Sequence, residues 1–298
     1  MKNLEKYKQN IQKDFPYFNI SLIRKIGEGD NITAFIVNEN YVFRFPKRKE
    51  VKRQMIREIS VLPIIEPLVN LAIPKFEFIP PEANFVGYKI IHGEPLSPKI
   101  FNSLTKKQQK SIQQTLGKFL SQIHKIDLSG LKDCHLKTMN LKEEYSENFK
   151  QAQKFIYPNV SRNKRKIITQ MFSDYLSNKN YFNYSSALIH NDFSSEHILF
   201  DTKNIEINGI IDFGDVAFGD PDYDFMYLLS EFGEEFLKDI FKIYHHKNKK
   251  EALKKIHFFS LSNKLQIILG YKNDKSSRGS KNAYEELELW FKKFINKK

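Results

Sequence analysis

The spacing of apolar residues divides the chain into an early part rich in strands and a later part rich in helices. Five short alternating or β-branched runs precede residue 92 and predict strands. These runs are Ser21–Ile26, Thr33–Val37, Tyr41–Phe45, Lys75–Ile79 and Phe85–Ile91. The polar triplet Asn38-Glu39-Asn40 separates the second run from the third, so the two are expected to form a hairpin.

Helical spacing appears in two places before residue 125. Arg53–Ile65 predicts a helix that contains Glu58 and that Pro63 would end or kink. Thr105 and Gln108 have the spacing of a capping box, which predicts a helix N-terminus. Apolar residues then recur at helical intervals and predict a core helix, at Ile112, Leu116, Phe119, Leu120 and Ile123.

Strand patterns return in the middle of the chain, at Ala187–His190, His197–Phe200 and Asn208–Asp212. A Lys-rich segment from about 141 to 180 and the chain from about Tyr223 onward both have helical patterns. The expected fold class is therefore α+β, with a small β-rich lobe followed by a larger, mainly helical lobe.

Composition indicates a soluble protein of a reducing compartment. The chain has 298 residues, 41% of them hydrophobic, which is enough to bury a sizeable core. Cys134 is the only cysteine, so it can form neither an internal disulfide nor a cysteine-based zinc site. We find no signal-peptide core and no run near the roughly 18 apolar residues that span a bilayer. We therefore expect a cytoplasmic monomer with no membrane partner.

Charge is unevenly distributed along the chain. The net charge of +13, with Lys-rich stretches such as Lys247–Lys255, would by itself suggest a basic nucleic-acid-binding protein. Between Asn180 and Leu237, however, twelve acidic residues accompany a single basic one, Lys203. An acidic segment in a basic protein indicates a site for cations, and a solvated acidic face is the simpler interpretation. Since several of these acids adjoin apolar strand residues, we favour a cation site and expect no nucleic-acid partner.

Two strings at the ends of adjacent predicted strands contain the residues best suited to catalysis. They are His190-Asn191-Asp192-Phe193-Ser194-Ser195-Glu196-His197 and Ile211-Asp212-Phe213-Gly214-Asp215. Phosphoryl transfer needs a carboxylate that orients the attacking hydroxyl, groups that hold magnesium, and a cation near the phosphates. Asp192 suits the first role, His197 can reach back to the same site, and Asp212 would emerge where a strand ends. Gly214 would let the backbone turn sharply.

Each of these residues also has a simpler interpretation. Asp192 could cap a turn or helix, His197 could be a core histidine, and Asp212 and Gly214 could belong to an ordinary turn. Together, however, the three polar residues and the strands between them favour a catalytic site.

The two strings resemble the catalytic loop and the Asp-Phe-Gly motif of the protein-kinase-like superfamily. Extended by Gly209-Ile210 and by Asp220-Pro221-Asp222-Tyr223-Asp224-Phe225, they resemble the aminoglycoside 2″-phosphotransferases. The resemblance extends over nearly the whole chain through three further segments, Gly27-Glu28-Gly29, Val42–Lys47 and Val86–Lys89. It implies a bilobal protein-kinase-like fold, with a nucleotide-binding lobe at 1–91. The lobe for catalysis and substrate binding would be 92–298, with a helical insertion at about 135–182.

The resemblance also implies roles for individual residues. Asp192 would be the catalytic base, and His197 and Asp212 would bind Mg²⁺. Leu199 and Ile211 would contact the purine, while Gly27 and Gly29 would let a loop lie over the triphosphate.

Arg44 takes the position at which kinases usually have a phosphate-binding Lys, with Glu58 as its ion-pair partner. Tyr88 would be the residue before the hinge, and the backbone at Lys89 and Ile91 would bind the purine edge. A bulky Tyr88 favours GTP over ATP as donor, although Arg44 could be a surface residue and Tyr88 could be ordinary core packing.

The acceptor implied by the resemblance is a polycationic aminoglycoside such as gentamicin or kanamycin, phosphorylated on a hydroxyl, the 2″ hydroxyl in this subfamily. Carboxylates would bind its ammonium groups, namely Asp192, Asp215, Glu231, Glu234 and Glu235. For the three Glu residues the alternative is a favourable charge at a helix N-terminus. Another small-molecule kinase, of the choline or macrolide type, remains an alternative, as does a binding module without turnover.

Overall fold

The computed structural model describes residues 2–28, 31–275 and 277–295. Contacts among these residues define two compact units. Unit 1 runs to Lys137 and also includes Ser194–Val216, whereas unit 2 consists of Thr138–Phe193 and the chain from Ala217 onward. The lobe boundary expected between residues 91 and 92 stays a prediction.

The regular elements follow the predicted succession of early strands and later helices. In chain order the helices are α1 (Lys2–Asp14), α2 (Lys49–Ile65), α3 (Pro98–Ser103), α4 (Lys106–Ile123), α5 (Leu141–Phe155), α6 (Arg162–Ser177), α7 (Met226–Phe232), α8 (Glu234–Tyr244), α9 (Lys249–Gly270) and α10 (Arg278–Phe294). The strands are β1 (Ile23–Glu28), β2 (Ile32–Val37), β3 (Tyr41–Pro46), β4 (Phe76–Phe78), β5 (Val86–Lys89), β6 (Glu94–Pro95), β7 (Lys137–Thr138), β8 (Ala187–Ile189), β9 (Ile198–Asp201), β10 (Glu206–Ile210) and β11 (Ala217–Gly219).

Unit 1 is organised around a five-stranded antiparallel sheet of order β1-β2-β3-β5-β4. The predicted hairpin joins β2 to β3, and its turn places Asn38 and Glu39 at φ 52° and 60°. Asn suits such a left-handed position, and its side-chain oxygen also accepts the amide of Ser21 at 2.9 Å. Aromatic residues of the sheet pack with α1 into a core, which includes Phe35, Phe43, Phe45 and Phe85.

Helix α2 begins four residues before the predicted start and continues through Pro63 to Ile65. A proline so close to the C-terminus of a helix removes only one of the last intrahelical bonds, so the helix can still end two residues later. The amide of Glu66 then bonds to the Leu62 carbonyl and completes the last turn. Glu58 lies on the buried face of α2 and is 0% exposed.

The remainder of unit 1 contains α3, α4 and a small sheet of order β10-β9-β6. The capping box predicted at Thr105 and Gln108 is present at the start of α4. Strand β10 ends at Ile210, two residues before the predicted end, so Asp212 follows the strand instead of closing it. Asp212 has φ 65°, a left-handed conformation that cannot continue a strand.

Unit 2 is mainly helical, with a three-stranded sheet of order β7-β11-β8. Helix α9 contacts α5, α6, α7, α8 and α10, which is why its apolar residues are spread around the helix instead of forming one stripe. Phe258 and Phe259 of α9 pack against the rings of Tyr145 and Tyr175. The Lys-rich segment predicted to be helical contains α5 and α6, which Asn140 and Ser161 cap.

Candidate active site

Unit 1 contains a cavity of about 620 Å³ beneath its five-stranded sheet, a volume typical of small-molecule sites. Apolar side chains form most of its lining. Ile32 and Val42 come from the five-stranded sheet, Leu199 from β9, and Ile211 directly follows β10. Arg44 and Asp212 also line the cavity and supply its charged groups. A cavity with apolar walls and a charged end can hold a planar ring together with an anionic group.

Arg44 joins two carboxylates. Its NH1 lies 2.9 Å from Glu58 Oε1, and its NH2 lies 3.2 Å from Asp212 Oδ1. The guanidinium is therefore fixed by two of its nitrogens, as the planar fork of arginine allows. The expected pairing of Arg44 with Glu58 is present, and Arg44 is 7% exposed, so it is not a surface residue.

Burial and neighbouring charges act in opposite directions on the pKa values of the ionisable residues of this cavity. Burial raises the pKa of Glu58, and the charge of Arg44 and the amide of Phe213 only partly oppose this. For Arg44, burial acts to lower the pKa, but the carboxylates of Glu58 and Asp212 outweigh it and raise the pKa above its usual value. Burial also raises the pKa of Tyr88 to about 12. Arg44 therefore remains a cation at the end of the cavity.

Helix α2 contacts each residue that follows Asp212 in the predicted motif. Glu58 Oε1 accepts the Phe213 amide at 3.1 Å, and Arg57 NH2 donates to the Gly214 carbonyl at 3.1 Å. Gln54 Nε2 donates to Asp215 Oδ1 at 2.7 Å. Through these bonds α2 holds the backbone and the last carboxylate of the motif in one arrangement.

Glycine is needed at position 214 for a different reason from the one expected. Among the described residues, positive φ in this motif occurs at Asp212 and not at Gly214. A Cβ on Gly214 would lie 3.3 Å from the Cβ of Gln54. Gly214 therefore allows α2 to approach the motif closely, and Asp212 adopts the sharp turn.

His197 lies near Asp212 within unit 1. Its Nε2 is 3.6 Å from Asp212 Oδ2, and its Nδ1 is 3.4 Å from the Ser194 hydroxyl. The side chain is 15% exposed, so His197 is not sealed in the core. Across residues 2–28, 31–275 and 277–295, no three His, Cys, Asp or Glu side chains cluster as a metal site. His197 and Asp212 lie side by side, and their binding of Mg²⁺ stays a prediction.

Asp192 belongs to unit 2, in the loop that follows β8. The carboxylate of Asp224 accepts the His190 amide at 2.8 Å and the Asn191 amide at 2.7 Å, one on each oxygen. Asn191 has φ 68°, so the chain turns sharply immediately before Asp192. Asp224 is 1% exposed and holds this turn. The turn before Asp192 is therefore held by a residue that lies two positions before α7.

Part of the acidic segment is already neutralised within unit 2. Lys255 Nζ lies 2.6 Å from Asp220 and 2.7 Å from Asp222, and all three residues are buried. His246 Nε2 is 2.7 Å from the other oxygen of Asp222. These two carboxylates therefore bind cations of the protein itself, and the expectation of a cation site does not extend to them.

The three predicted acceptor-binding Glu residues have different environments. Glu234 and Glu235 lie in the first turn of α8, as expected, but Glu231 lies in the last turn of α7, because Gly233 separates the two helices at φ 90°. Glu234 pairs with His257 at 2.9 Å, and Glu235 pairs with Lys238 at 2.7 Å. A role in acceptor binding stays a prediction for all three.

The structure places the other predicted nucleotide-binding residues as follows. Tyr88 and Ile91 line the cavity, whereas the Lys89 side chain points elsewhere and lies 3.7 Å from Glu77. Gly27 lies in β1, and Gly29 lies outside the described residues. Asp215 is exposed.

Other contacts of the site could not be inferred from motif matching. Gln54 and Arg57 each hold the motif through one long-range bond, and Asp224 holds the loop before Asp192 through two. The run Asp220 to Phe225 did resemble a family motif, which was the only sequence signal for Asp224. Gln54 and Arg57 share the predicted helix with Glu58, at four residues and one residue from it, and nothing distinguished them from surface residues.

Comparison with known families decides the classification. Residues 23–258 match the model of the phosphotransferase enzyme family, abbreviated APH. This chain belongs to the APH phosphotransferase family. It is accordingly a nucleotide-dependent O-phosphotransferase.

Solved structures of similar proteins extend the match over nearly the whole chain. The GDP and kanamycin complex of APH(2″)-IIIa is 26% identical, with a TM-score of 0.89 over 96% of this chain and 98% of that one. The gentamicin complex of APH(2″)-IIa is also 26% identical, with a TM-score of 0.77 over 95% of each chain. ADP-bound APH(2″)-Ib is 25% identical, with a TM-score of 0.74 over 98% of this chain and 97% of that one. The predicted α+β, bilobal protein-kinase-like fold of the phosphotransferase is confirmed.

In the described part of the phosphotransferase, no helix is both long enough and apolar enough to cross a bilayer.

Proposed function

We propose that this phosphotransferase transfers the γ-phosphoryl group of GTP to the 2″ hydroxyl of aminoglycosides such as kanamycin and gentamicin. The observation that carries the proposal is Arg44, which lines the 620 Å³ cavity while bound to both Glu58 and Asp212. A buried cation at the end of an apolar cavity suits a purine nucleotide, with the ring against the apolar walls and the phosphates near the charge.

The donor pair of His197 and Asp212 fits magnesium. Magnesium is usually bound by one or two protein side chains together with waters and substrate phosphates, so two protein donors are sufficient. Oδ1 of Asp212 is bound by Arg44, and Oδ2 is on the side of His197 Nε2, 3.6 Å away. When bound, the ion would neutralise charge on the phosphates.

Asp192 is the proposed catalytic base. As the acceptor oxygen bonds to the γ-phosphorus, the bond from that phosphorus to the β–γ bridging oxygen breaks, and the hydroxyl proton passes to the Asp192 carboxylate. GDP leaves with the electron pair of the broken bond. The rigid turn that Asp224 holds before Asp192 supports this role, because a base must be fixed in position to orient a hydroxyl.

Carboxylates would give the acceptor its specificity. Aminoglycosides carry several ammonium groups, and hydrogen bonds from such groups to carboxylates are strengthened by charge. We assign this role to Asp192, Asp215, Glu231, Glu234 and Glu235. The two similar structures that contain kanamycin or gentamicin support this class of acceptor.

Tyr88 supports GTP as the preferred donor. Its buried ring lines the cavity next to Val42 and Ile36 and fills space that a deeper adenine mode would need. The Ile90 amide is already bonded to the Asn40 carbonyl at 2.8 Å. We therefore assign binding of the purine edge to the backbone of the residues on either side of it, Lys89 and Ile91. Among the similar structures, one contains GDP and another contains ADP, so ATP is a second candidate donor.

We also propose that the protein acts as a cytoplasmic monomer without a nucleic-acid partner. Residues 1–91 would form the nucleotide-binding lobe, and 92–298 the lobe for catalysis and acceptor binding. Size-exclusion chromatography with light scattering would test the monomer, and a salt-dependent gel shift with RNA or DNA would contradict the lack of a nucleic-acid partner.

A coupled assay that detects the released nucleoside diphosphate tests the function directly. Kanamycin and gentamicin would be tested with GTP and with ATP, and the product would be mapped by NMR. We expect phosphate on the 2″ oxygen, turnover that requires magnesium, and loss of turnover in Asp192→Asn. Phosphate on another hydroxyl would contradict the regiochemistry, and the absence of transfer to either drug would contradict the acceptor class.

A further inference from the structure

Residues 90–93 of unit 1, which we call the edge segment, form part of the wall of the 620 Å³ cavity without belonging to a strand. They lie between the end of β5 and the start of β6, and Ile90, Ile91 and Gly93 line the cavity. Since the edge segment is outside the strands, strand pairing does not fix its backbone. Contacts from other segments must hold Ile91 if its backbone is to bind a purine edge.

Two hydrogen bonds hold the edge segment, one on each side of Ile91. On one side, the Ile90 amide bonds to the Asn40 carbonyl at 2.8 Å. On the other side, Nδ2 of Asn208 donates to the His92 carbonyl at 2.8 Å. A carbonyl oxygen can only accept, so the NH2 group of Asn208 must face it. The Ile91 backbone therefore lies between two residues that are bonded to other parts of unit 1.

A β-bulge in β10 brings Asn208 to the edge segment. Ile207 of β10 pairs with Phe200 of β9. The next pair joins Gly209 to Leu199, so Asn208 is an extra residue between the two pairs. A bulge removes its extra residue from the regular ladder and redirects the side chain. The Asn208 side chain is thereby free of the β9–β10 alternation and bonds to the edge segment instead.

Gly209 lets β10 pack directly against the edge segment. A Cβ on Gly209 would lie 2.4 Å from the Ala72 carbonyl oxygen and 2.8 Å from Cγ2 of Ile91. The Ile210 amide bonds to the same Ala72 carbonyl at 2.9 Å, which holds β10 in this position. Because the strand backbone contacts Ile91 itself, the residue before Gly209 can reach the residue after Ile91.

We propose that Asn208 is a positioning residue for the phosphoryl donor, because its bond to His92 fixes the Ile91 backbone that binds the purine edge. The proposal rests on the proposed function, since it assumes that a purine nucleotide occupies the cavity. Asn208 is not a lining residue of the cavity, so it acts through the backbone of the edge segment. It therefore assists guanine and adenine nucleotides alike, whereas Tyr88 distinguishes between them.

Removing the amide tests this role. Asn208→Leu should raise the Kd for GDP and the Kd for ADP by the same factor, about fivefold, because one neutral hydrogen bond is lost. In steady-state kinetics the KM for GTP should rise by a similar factor. The value of kcat and the KM for kanamycin should change by less than about twofold, since only the donor loses a fixed contact. Calorimetric titration of the whole protein would measure the Kd values.

Two further variants separate positioning from a general loss of structure. Asn208→Asp keeps the shape of the side chain but turns two oxygens toward the His92 carbonyl, so it should weaken GDP binding at least as much as Asn208→Leu. Gln109→Leu is the matched control. It removes another bond from a side-chain amide to a backbone carbonyl of unit 1, that of Gln109 to Phe101 at 3.0 Å, and should leave the Kd for GDP unchanged.

The outcomes distinguish this inference from the proposed function. If the wild type binds GDP and Asn208→Leu binds it equally well, the positioning role is wrong and the donor assignment stands. Equal changes in kcat and in both KM values would overturn the positioning role as well, because they indicate a general effect on the fold. If the wild type binds neither GDP nor ADP, the donor assignment is wrong and the inference fails with it.

Discussion

The side-chain amide of Gln54 on α2 bonds to the carboxylate of Asp215, 161 residues later in the chain, at 2.7 Å. This bond joins the helix that carries Glu58 to the last residue of the motif that begins with Asp212. The sequence predicted that α2 contributes to nucleotide binding through Glu58. If Asp215 binds an ammonium group of the acceptor, α2 also contributes to acceptor binding, because Gln54 holds the Asp215 carboxylate in place.

Gln54→Leu should therefore raise the KM for kanamycin by about threefold and leave the KM for GTP nearly unchanged, since a partly exposed hydrogen bond contributes about 1 kcal/mol or less. Steady-state kinetics with each substrate varied in turn would measure this. Gln54→Glu places a second carboxylate against Asp215, so it should change the KM for kanamycin more than Gln54→Leu does. Equal changes in both KM values would argue against a role confined to the acceptor.

The Arg44 guanidinium is the second group to be tested, because two of its nitrogens bond to two carboxylates, those of Glu58 and Asp212. Arg44→Lys keeps the charge but has a single nitrogen, so it cannot reproduce both bonds. We expect the KM for GTP to rise about fivefold and kcat to fall about tenfold, with the fold retained. Unchanged kinetics in Arg44→Lys would show that a point charge is sufficient.

Arg44→Met separates stability from catalysis. It leaves Glu58 buried without its partner, which should lower the free energy of unfolding by about 3 kcal/mol. Because burial already raises the pKa of Glu58, the buried carboxyl can take up a proton, and the loss should be smaller in acid than at neutral pH. Arg24→Met removes one member of an exposed ion pair with Glu39 and is the matched control, with little expected change. Urea unfolding at two pH values would measure both variants.

The Tyr88 ring provides the test of donor choice. Tyr88→Met replaces a rigid ring with a flexible side chain and should open the space that a deeper adenine mode requires. The ratio of kcat/KM for GTP to that for ATP should fall about tenfold, chiefly through a better KM for ATP. The neighbouring Phe76, whose ring lies 5.7 Å from that of Tyr88, offers a control, because Phe76→Leu changes packing without opening the cavity wall. A wild-type enzyme that prefers ATP would defeat the argument.

Sequence reasoning predicted the candidate catalytic residues because they lie in short, recognisable strings. A single hairpin separates His197 from Asp212, and the structure places the two side chains 3.6 Å apart, whereas the roles proposed for them and for Asp192 stay predictions. Arg44 could not be oriented from alternation alone, since Phe43 and Phe45 on both sides of it are buried as well. Its orientation is settled by a carboxylate from a different element.

The residues that hold those strings in place could not be predicted, because their contacts join segments that are far apart in the sequence. Gln54 lies on α2 and Lys255 on α9, and an amide or an ammonium on such a helix is normally a surface group. Only the packed fold brings Lys255 to two carboxylates of the acidic segment. A pattern of charges along the sequence therefore indicated a cation site but not that the protein supplies the cation.

The two carboxylates at Lys255 predict a specific dependence of stability on pH. Asp220 and Asp222 share one ammonium, so one ionises readily and the other resists. Burial raises the pKa of Asp220 from 3.8 to about 6, even though Lys255 opposes it. For Asp222 burial also acts to raise the pKa, but His246 and Lys255 outweigh it and lower the pKa. The folded protein therefore keeps a proton on Asp220 at pH values where the unfolded chain has lost it.

Asp220→Asn isolates this effect, because the amide cannot ionise. Its single oxygen keeps only one of the two bonds, from Lys255 or from the Asp222 amide, and that loss does not depend on an ionisation of residue 220. A raised pKa in the folded state gives stability that is complete below about pH 4 and is lost as the pH rises through about 6. Relative to Asp220→Asn, the wild type should therefore lose about 2 kcal/mol of unfolding free energy between these pH values. Asp239→Asn, which changes an aspartate with a 46% exposed side chain, should parallel the wild type. Parallel curves for Asp220→Asn and the wild type would mean that Asp220 is ionised throughout, with Lys255 shared equally between the two carboxylates.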